Sequence, residues 1–435
     1  MGKIPVKNQS GVTQFFGHTK ILPNETADLP YDLAKYLALS EEYRVESKDL
    51  IPDFPFADGK GLHLGWSSPL HYADGYGSIA QEIASTFLDN GIRLSITPRD
   101  YSPSDPRFGN LKLDEWTDKA FVPENIVSCL KQPPEIPFYG INMTWPKEVH
   151  RHKYPRGFGF TMFETTHPPK EWSKCLNMCR RILVPCQQNK EAFQIQGCIS
   201  PIHVVPLGVN PTKWPISERK DHKGPFTFLM AAGITMRKNP IDCVTAFIAA
   251  FPRGEEVRLI LKTRGLQTSA GFRDWMRYLP YDPRVEVICE ESTPAQMVKW
   301  MHDADCFVFP SHSEGFGLTG VQSMCTGLPL IISDNSGMSE YCDSRYNYPV
   351  ECYETKVPDC SHGGFPEEWG DVGNWWTPHF DALVEAYRGV YNDPDKAYRK
   401  GLKSAGWVRK EWTVHRTCER IIKVICEDAK EDGIL

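Results

Sequence analysis

The sequence predicts an α/β protein built from two successive doubly wound domains, each a mostly parallel sheet with helices on both faces. Three observations predict it. From residue 61 onward, short apolar runs alternate with longer amphipathic stretches. That rhythm breaks over residues 207–225 and then restarts. The chain has 435 residues, more than one ordinary core, and suits two domains of roughly 150–200 residues each.

Taken in order, residues 1–60 read as irregular, with scattered Pro, Asn, Asp and Gly and one helical stretch over 31–42, and are expected to pack on the first domain. Strands are expected at 62–66, 93–97, 136–142, 157–163, 181–184 and 203–205, with helices at 78–90, 169–179 and 188–196. The interruption holds Pro206, Pro211 and Pro215, the charge run Glu218-Arg219-Lys220-Asp221, and Gly224, and reads as a linker. Strands resume at 227–231, 258–262, 285–289, 306–309 and 330–333. A helix is expected over 294–304, because Thr293 can cap it and Pro294 takes the first position, where a missing N–H costs nothing. Further helices are expected near 381–391 and 413–427. The resulting division is an N-terminal extension (1–60), a first domain (61–214), a second domain (215–410) and a C-terminal helix (411–435).

Composition narrows the class. A hydrophobic content of 41% with 24% charged residues is that of a globular chain, and a formal charge of −6 provides no global attraction to nucleic acid or anionic membrane. The N-terminus has no apolar run of signal-peptide length, Val6 stands where myristoylation needs Ser or Thr, and no stretch reaches the roughly 18 apolar residues of a membrane span. A cytoplasmic enzyme is expected. The 14 cysteines then read as reduced thiols, many of them buried. Cys175 and Cys179, one helical turn apart, and His150-Arg151-His152 lack the paired spacing of a zinc site, and Asp303-Ala-Asp305 reads as a structural helix end, so no metal is expected.

The chemistry concentrates between Phe307 and Glu340. A strand ends at Phe309, a loop follows, and then Glu314-Gly315-Phe316-Gly317-Leu318 opens a helix of small and apolar residues. Gly315 and Gly317 let backbone approach a ligand, and the helix start presents free N–H groups and a positive dipole end, a ready site for phosphate. A carboxylate beside that anion, Glu314, is better suited to accept hydrogen bonds from hydroxyls, as on a sugar.

This segment, with Gly327-Leu-Pro-Leu-Ile after it, resembles the E-x7-E region of retaining GT-B glycosyltransferases, specifically glycosyltransferase family 4. Other segments resemble the same family: Gly159-Phe-Thr-Met-Phe-Glu-Thr-Thr, Arg181-Ile-Leu-Val-Pro185, Ile202-His-Val-Val-Pro-Leu-Gly-Val209 and the stretch 228–251 with Met236-Arg237-Lys238-Asn239-Pro240. Together they cover roughly residues 61–425. The resemblance implies two Rossmann-like domains facing across a cleft, a C-terminal helix packing back on the first, and a nucleotide-sugar donor, most commonly UDP-linked. It implies that Glu314 contacts the donor sugar. The family's second glutamate, which holds the ribose, is Gln322 here, an uncharged amide that can still bond hydroxyls. The family is usually described by a front-face mechanism in which the leaving phosphate itself takes the acceptor proton, and its base contacts come largely from backbone, here near 289–291.

Arg237 and Lys238 follow a strand and a Gly233 loop; the functional reading is a cationic clamp on the donor diphosphate, and the structural alternative is a solvated pair at a helix start, which the helix dipole disfavours. Lys262 ends an apolar strand and either faces the cleft or snorkels from the strand end. Glu164 ends another strand, where the family often has histidine. It can bond the donor sugar, orient the acceptor hydroxyl, attack the anomeric carbon, or cap the turn at 165–172. His167, Arg151 and Lys153 are acceptor-side candidates. Gly75-Tyr-Gly77-Ser-Ile-Ala80 mimics a dinucleotide fingerprint, but the preceding strand ends too early for the tight turn; in the resembling family this loop borders donor phosphate and acceptor.

Three functions compete. The first is transfer of a hexose or pentose to a glycan or lipid-linked glycan. The second is transfer to a hydroxylated base in DNA, with Lys147, His150, Arg151, His152, Lys153 and Arg156 tracking phosphates. The third, of another class, is a nucleotide-sugar-binding protein without catalysis, or an oxidoreductase. The Glu314 loop together with Arg237-Lys238 argues against a degenerate binder, and the Gly75 turn argues against an oxidoreductase.

Overall fold

The computed structural model describes residues 3–8, 14–16, 19–21, 26–30, 43–45, 62–71, 75–99, 112–119, 121–132, 135–151, 154–217, 224–263, 277–358 and 365–432. Two six-stranded, wholly parallel sheets dominate it. The first comprises β1 (His63–Ser68), β2 (Arg93–Pro98), β3 (Tyr139–Met143), β4 (Arg156–Phe160), β5 (Arg181–Val184) and β6 (Ile202–Val204), in the order β6-β5-β4-β3-β1-β2. The second comprises β7 (Phe226–Ala231), β8 (Val257–Thr263), β9 (Val285–Cys289), β10 (Cys306–Phe309), β11 (Leu330–Ser333) and β12 (Tyr348–Val350), in the order β9-β8-β7-β10-β11-β12.

Central strands of parallel sheets are covered on both faces, so they tolerate continuous apolar runs. Cys306-Phe-Val-Phe309 and Leu330-Ile-Ile-Ser333 are buried at every position. These short runs, bounded by turn residues, are what made β5, β9, β10 and β11 legible to the residue. In both sheets the strand order reverses beside the first strand, between β1 and β3 and between β7 and β10. A crevice opens at the carboxyl ends of strands at such a switch point.

The helices serving the crevice are α1 (Gly75–Asp89), α2 (Gln187–Ile195), α3 (Pro240–Ala250), α4 (Pro294–Asp303) and α5 (Leu318–Cys325). Helix α4 starts as expected. Thr293 Oγ1 accepts from Gln296 N at 3.2 Å and Gln296 Oε1 accepts from Thr293 N at 2.7 Å, a reciprocal cap that contributes about 1 kcal/mol. Two expectations are corrected. The helix at 169–179 shrinks to Trp172–Leu176, because Pro168 and Pro169 push its start later. The extension is not irregular: it carries short antiparallel strands at Lys3–Asn8, Thr26–Pro30 and Tyr43–Val45, and a hairpin of Gln14–Phe16 with Thr19–Ile21. The helix expected over 31–42 lies outside the described residues.

Beyond β12 come an antiparallel hairpin, β13 (Cys352–Lys356) and β14 (Asn374–Pro378), then α6 (Phe380–Asn392), α7 (Pro394–Glu411) and α8 (Val414–Glu431). The chain crosses from the first sheet to the second after β6 and returns before α8, where Val209 N donates to Trp412 O and Val414 N to Val209 O. Helix α8 then lies on the first sheet's side: Thr417 Oγ1 donates to Pro206 O, and Cys418 Sγ sits 3.7 Å from Ile83 O of α1.

Its far end is anchored by Asp428, which has no exposed surface. Its carboxylate receives Arg156 at 2.5 Å, Arg180 at 2.8 Å, Arg181 at 2.8 Å and Tyr139 OH at 3.2 Å. Burial works to raise its pKa, but the hydrogen bonds from the three arginines outweigh burial and hold it below the usual carboxylate range. This corrects the expectation for Arg156: it is turned into Asp428 and Asp432 rather than outward along a basic run. No helix among the described residues is long and apolar enough to cross a membrane.

Candidate active site

A cavity of about 710 Å³ opens where the carboxyl ends of both sheets face each other. The first sheet's side contributes Gly75, Tyr76, Ser78, Trp145, Met162 and Glu164. The second contributes the loop 231–235 after β7, Arg237, Lys238, Lys262, Thr263, the edge 290–292, Phe309 and the run from Glu314 to Thr319, with Gln322 one turn further. Of the residues singled out from the sequence, Glu314, Arg237, Lys238, Glu164, Gly75, Lys262, Gly315, Phe316, Gly317, Leu318 and Gln322 all reach this one space.

Four charged side chains form a neutral cluster on its floor. Lys238 Nζ donates to both oxygens of Glu314, at 2.5 and 2.7 Å. Arg237 Nη1 donates to Glu314 Oε2 at 3.2 Å and to Ser313 O at 2.6 Å, while its Nη2 lies 3.4 Å from Glu164 Oε1. Glu164 therefore reaches across from the first sheet to a cation of the second, rather than capping the turn that follows it. Ser311 Oγ adds a hydrogen bond to Glu314 Oε1 at 2.7 Å. For Glu314, burial favours the neutral acid, but Lys238 and Arg237 outweigh it and the carboxyl stays below its usual range. For Arg237, burial opposes charge, and the two glutamates override it and raise the pKa. For Lys238, burial and then Arg237 pull the ammonium below its usual range, against Glu314.

Local geometry explains how neighbours in sequence hold this arrangement. Met236–Lys238 is a single 3-10 turn after β7; Asn239 then adopts a left-handed conformation at φ 57°, donates to Pro310 O at 3.2 Å, and hands over to Pro240 at the first position of α3. The Arg237 carbonyl accepts from His312 N at 2.8 Å, tying the cation turn to the loop that bears Glu314. That loop is pinned again from behind: Glu314 N donates to Ser336 Oγ at 2.9 Å and Gly337 N to Glu314 O at 3.0 Å. Helix α5 starts at Gly317, whose φ of +83° strains any side chain, and whose Cβ would stand 2.6 Å from Tyr341 OH. Gly317→Ala should cost about 2 kcal/mol in urea unfolding, from backbone strain plus the clash.

Lys262 is placed in the cleft and does not snorkel to solvent, being 5% exposed. It lines the cavity, yet its ammonium donates to Thr263 O at 3.0 Å and Glu290 O at 2.6 Å. Other placements are corrections. Gly77 is buried behind the wall, where a Cβ would lie 2.0 Å from the His71 carbonyl, so of the glycine pair only Gly75 meets the cavity. His167 is exposed and bound to Thr166 Oγ1 at 2.7 Å, beside Gly373 and away from the cavity. Arg151 pairs with Glu148 at 3.6 Å, also away from it. Lys153 lies outside the described residues. Asp303 pairs with Lys299, and Asp305 accepts from Thr227 N at 2.7 Å, so the DxD is spent on structure. Among the described residues no group of acidic, histidine or cysteine side chains could hold a metal ion. The sequence reading missed Ser311, Trp145, Tyr76 and Ser292. Tyr76 lies within the Gly75-Tyr-Gly77 stretch and Ser311 three residues before Glu314, but neither residue type announces a role; Trp145 and Ser292 belong to no motif and acquire their place only when distant segments meet.

Comparison with known proteins agrees with this architecture. Residues 213–354 match the family described as Glycosyl transferases group 1. A glycogen synthase of Mycobacterium tuberculosis is 27% identical over 168 residues, covering 36% of this chain and 38% of the relative. A D-inositol 3-phosphate glycosyltransferase of Paenarthrobacter aurescens is 26% identical over 191 residues, 43% of this chain and 38% of the relative. The chain thus spans well under half the length of the curated relatives it matches. Among solved structures, sucrose-phosphate synthase of Thermosynechococcus elongatus superposes with a TM-score of 0.57 at 13% identity, covering 84% of this chain and 98% of that one. Anabaena Alr3699/HepE, solved in complex with UDP and glucose, superposes with a TM-score of 0.56 at 12% identity, covering 84% of this chain and all (100%) of that one. The resemblance read from the sequence holds: the fold is GT-B, and its second half carries a glycosyl transferases group 1 segment.

Proposed function

We propose that this chain, a GT-B protein with a glycosyl transferases group 1 segment at residues 213–354, moves a sugar from a nucleotide-sugar donor to an acceptor hydroxyl with retention of configuration. One observation carries the reading: the start of α5, the cations Arg237 and Lys238, and the carboxylates Glu314 and Glu164 converge on a single cavity at the switch points of both sheets.

The donor's pyrophosphate binds at the amino end of α5, where the first N–H groups have no intrahelical partner. Its phosphates draw Lys238 and Arg237 away from the glutamates that hold them in the free protein. Glu314, so released, accepts hydrogen bonds from the donor sugar, and Gln322 bonds the ribose. As the bond to the anomeric carbon breaks, charge collects on the leaving phosphate, and fixed cations stabilise that state more than the ground state. The positive charge comes from the protein, so the reading needs no metal, and turnover should persist in a chelator. Glu164 faces the acceptor side, where it positions the incoming hydroxyl; the leaving phosphate takes the proton. UDP is the nucleotide to test first, with backbone around 290–292 at the base, and the acceptor is a glycan or lipid-linked glycan. The described cysteines are all free thiols, which suits a reducing compartment.

A thermal-shift screen of UDP, GDP and ADP sugars tests the reading. One donor at saturating concentration should stabilise the protein by about 2–4 kcal/mol. A protein that responds to none of them, and hydrolyses none, is not a sugar transferase of this kind.

A further inference from the structure

The two walls of the cavity differ in charge. The second sheet's wall carries Arg237, Lys238, Lys262 and the start of α5. Among the described lining residues, the first sheet's wall carries no cation, and its one charged group, Glu164, is already turned to Arg237. The rest of that wall includes Gly75, Tyr76, Ser78, Trp145 and Met162.

Trp145 is the conspicuous member. Large aromatic side chains are normally covered, yet this one is 39% exposed while lining a cavity. It is also braced. Tyr76 packs against it at a centroid distance of 5.4 Å and Trp369 at 6.5 Å, both rings tilted to the indole. Tyr76 is itself held, its hydroxyl accepting from Met162 N at 3.1 Å. The indole is therefore supported by two other rings while it lines the cavity and keeps exposed surface.

Resting on the sugar-transfer reading, we propose that the acceptor is a neutral pyranoside whose C–H face stacks on Trp145, and not a phosphorylated sugar or polyol. A pyranose ring offers a slightly positive C–H face, which suits the negative face of an indole, and buries apolar area without needing a charged partner. Ser78 and Glu164 offer polar atoms for its hydroxyls. A phosphorylated acceptor would set its dianion against a wall whose described lining residues include no cation and include the Glu164 carboxylate, an unfavourable pairing in a partly desolvated space.

Saturation-transfer NMR on the full chain loaded with UDP tests this, with maltose, methyl β-D-galactopyranoside and glucose 6-phosphate as probes. At least one neutral probe should receive saturation on its ring C–H protons, and glucose 6-phosphate should receive at least fivefold less. Trp145→Ala should abolish the neutral signal, and Trp145→Leu, which keeps apolar bulk but no flat face, should weaken it at least fivefold. The UDP-induced Tm shift is read in every sample. A wild-type protein that shifts with none of UDP, GDP and ADP overturns the sugar-transfer reading and the acceptor proposal with it; one that shifts with GDP or ADP instead is loaded with that nucleotide and read in the same way. A protein that shifts with UDP but favours glucose 6-phosphate, binds neither neutral probe, or keeps full signal in a folded Trp145 variant overturns the acceptor proposal alone.

Discussion

Lys238→Ala should lower turnover at least 100-fold while the protein stays folded. A 100-fold loss corresponds to about 2.7 kcal/mol of transition-state stabilisation, the size of effect seen when one fixed charge or donor is removed from a developing anion. Folding should survive because the substitution does not strand Glu314: Arg237 and Ser311 still bond its carboxylate at 3.2 and 2.7 Å. The loss should fall mainly on kcat, because the ammonium matters most when charge reaches the leaving phosphate. Glu314→Ala should reduce turnover by a similar factor through the sugar contact, although it also leaves two half-buried cations short of a partner. Near-normal kcat with the donor saturating, in both variants, would remove this cluster from the chemistry.

Asp428→Asn should destabilise the chain by about 3 kcal/mol, measured as a drop in urea midpoint at unchanged m-value. Breaking a buried ion cluster by removing one side leaves the other unpaid, and here three guanidinium groups meet on one carboxylate with no exposed surface. The arginines keep weaker partners in Asp432 and Glu431, which limits the cost. Asp432→Asn, at a half-exposed position, should cost much less. Equal effects of the two would mean that Asp428 is not what anchors α8 to the first sheet.

The two predictions probe interactions that differ in how far the sequence announces them. Glu314, Gly315, Gly317 and Leu318 are contiguous, and a strand–loop–helix reading suffices to put a carboxylate beside an anion-binding helix start. Arg237 and Lys238 follow β7 at the place where the classic strand order leaves its crevice, so a parallel sheet read from apolar runs brings them near Glu314. Asp428 carries no such signal. It lies on an amphipathic helix whose acidic residues look alike, and its partners are 247 to 289 positions away. Helix α7 was also invisible. Its many lysines and arginines dilute the apolar stripe, and only packing beside α5 and α6 supplies the burial that holds it.

Apolar runs by themselves located eleven of the twelve strands of the two sheets and the crevice they imply, because most central parallel strands are covered on both faces; the three-residue β12 was too short to announce itself. Composition and spacing likewise determined the Glu314 loop, since its chemistry is local. Tertiary structure alone decided who holds whom: that Lys238 and Arg237 grip Glu314 in the free protein, that Glu164 crosses to Arg237, that His167 and Arg151 turn away, and that Trp145 stands open in the cavity. These are contacts between segments far apart in the chain, and their geometry follows from how two sheets and a returning helix pack, which no local pattern encodes.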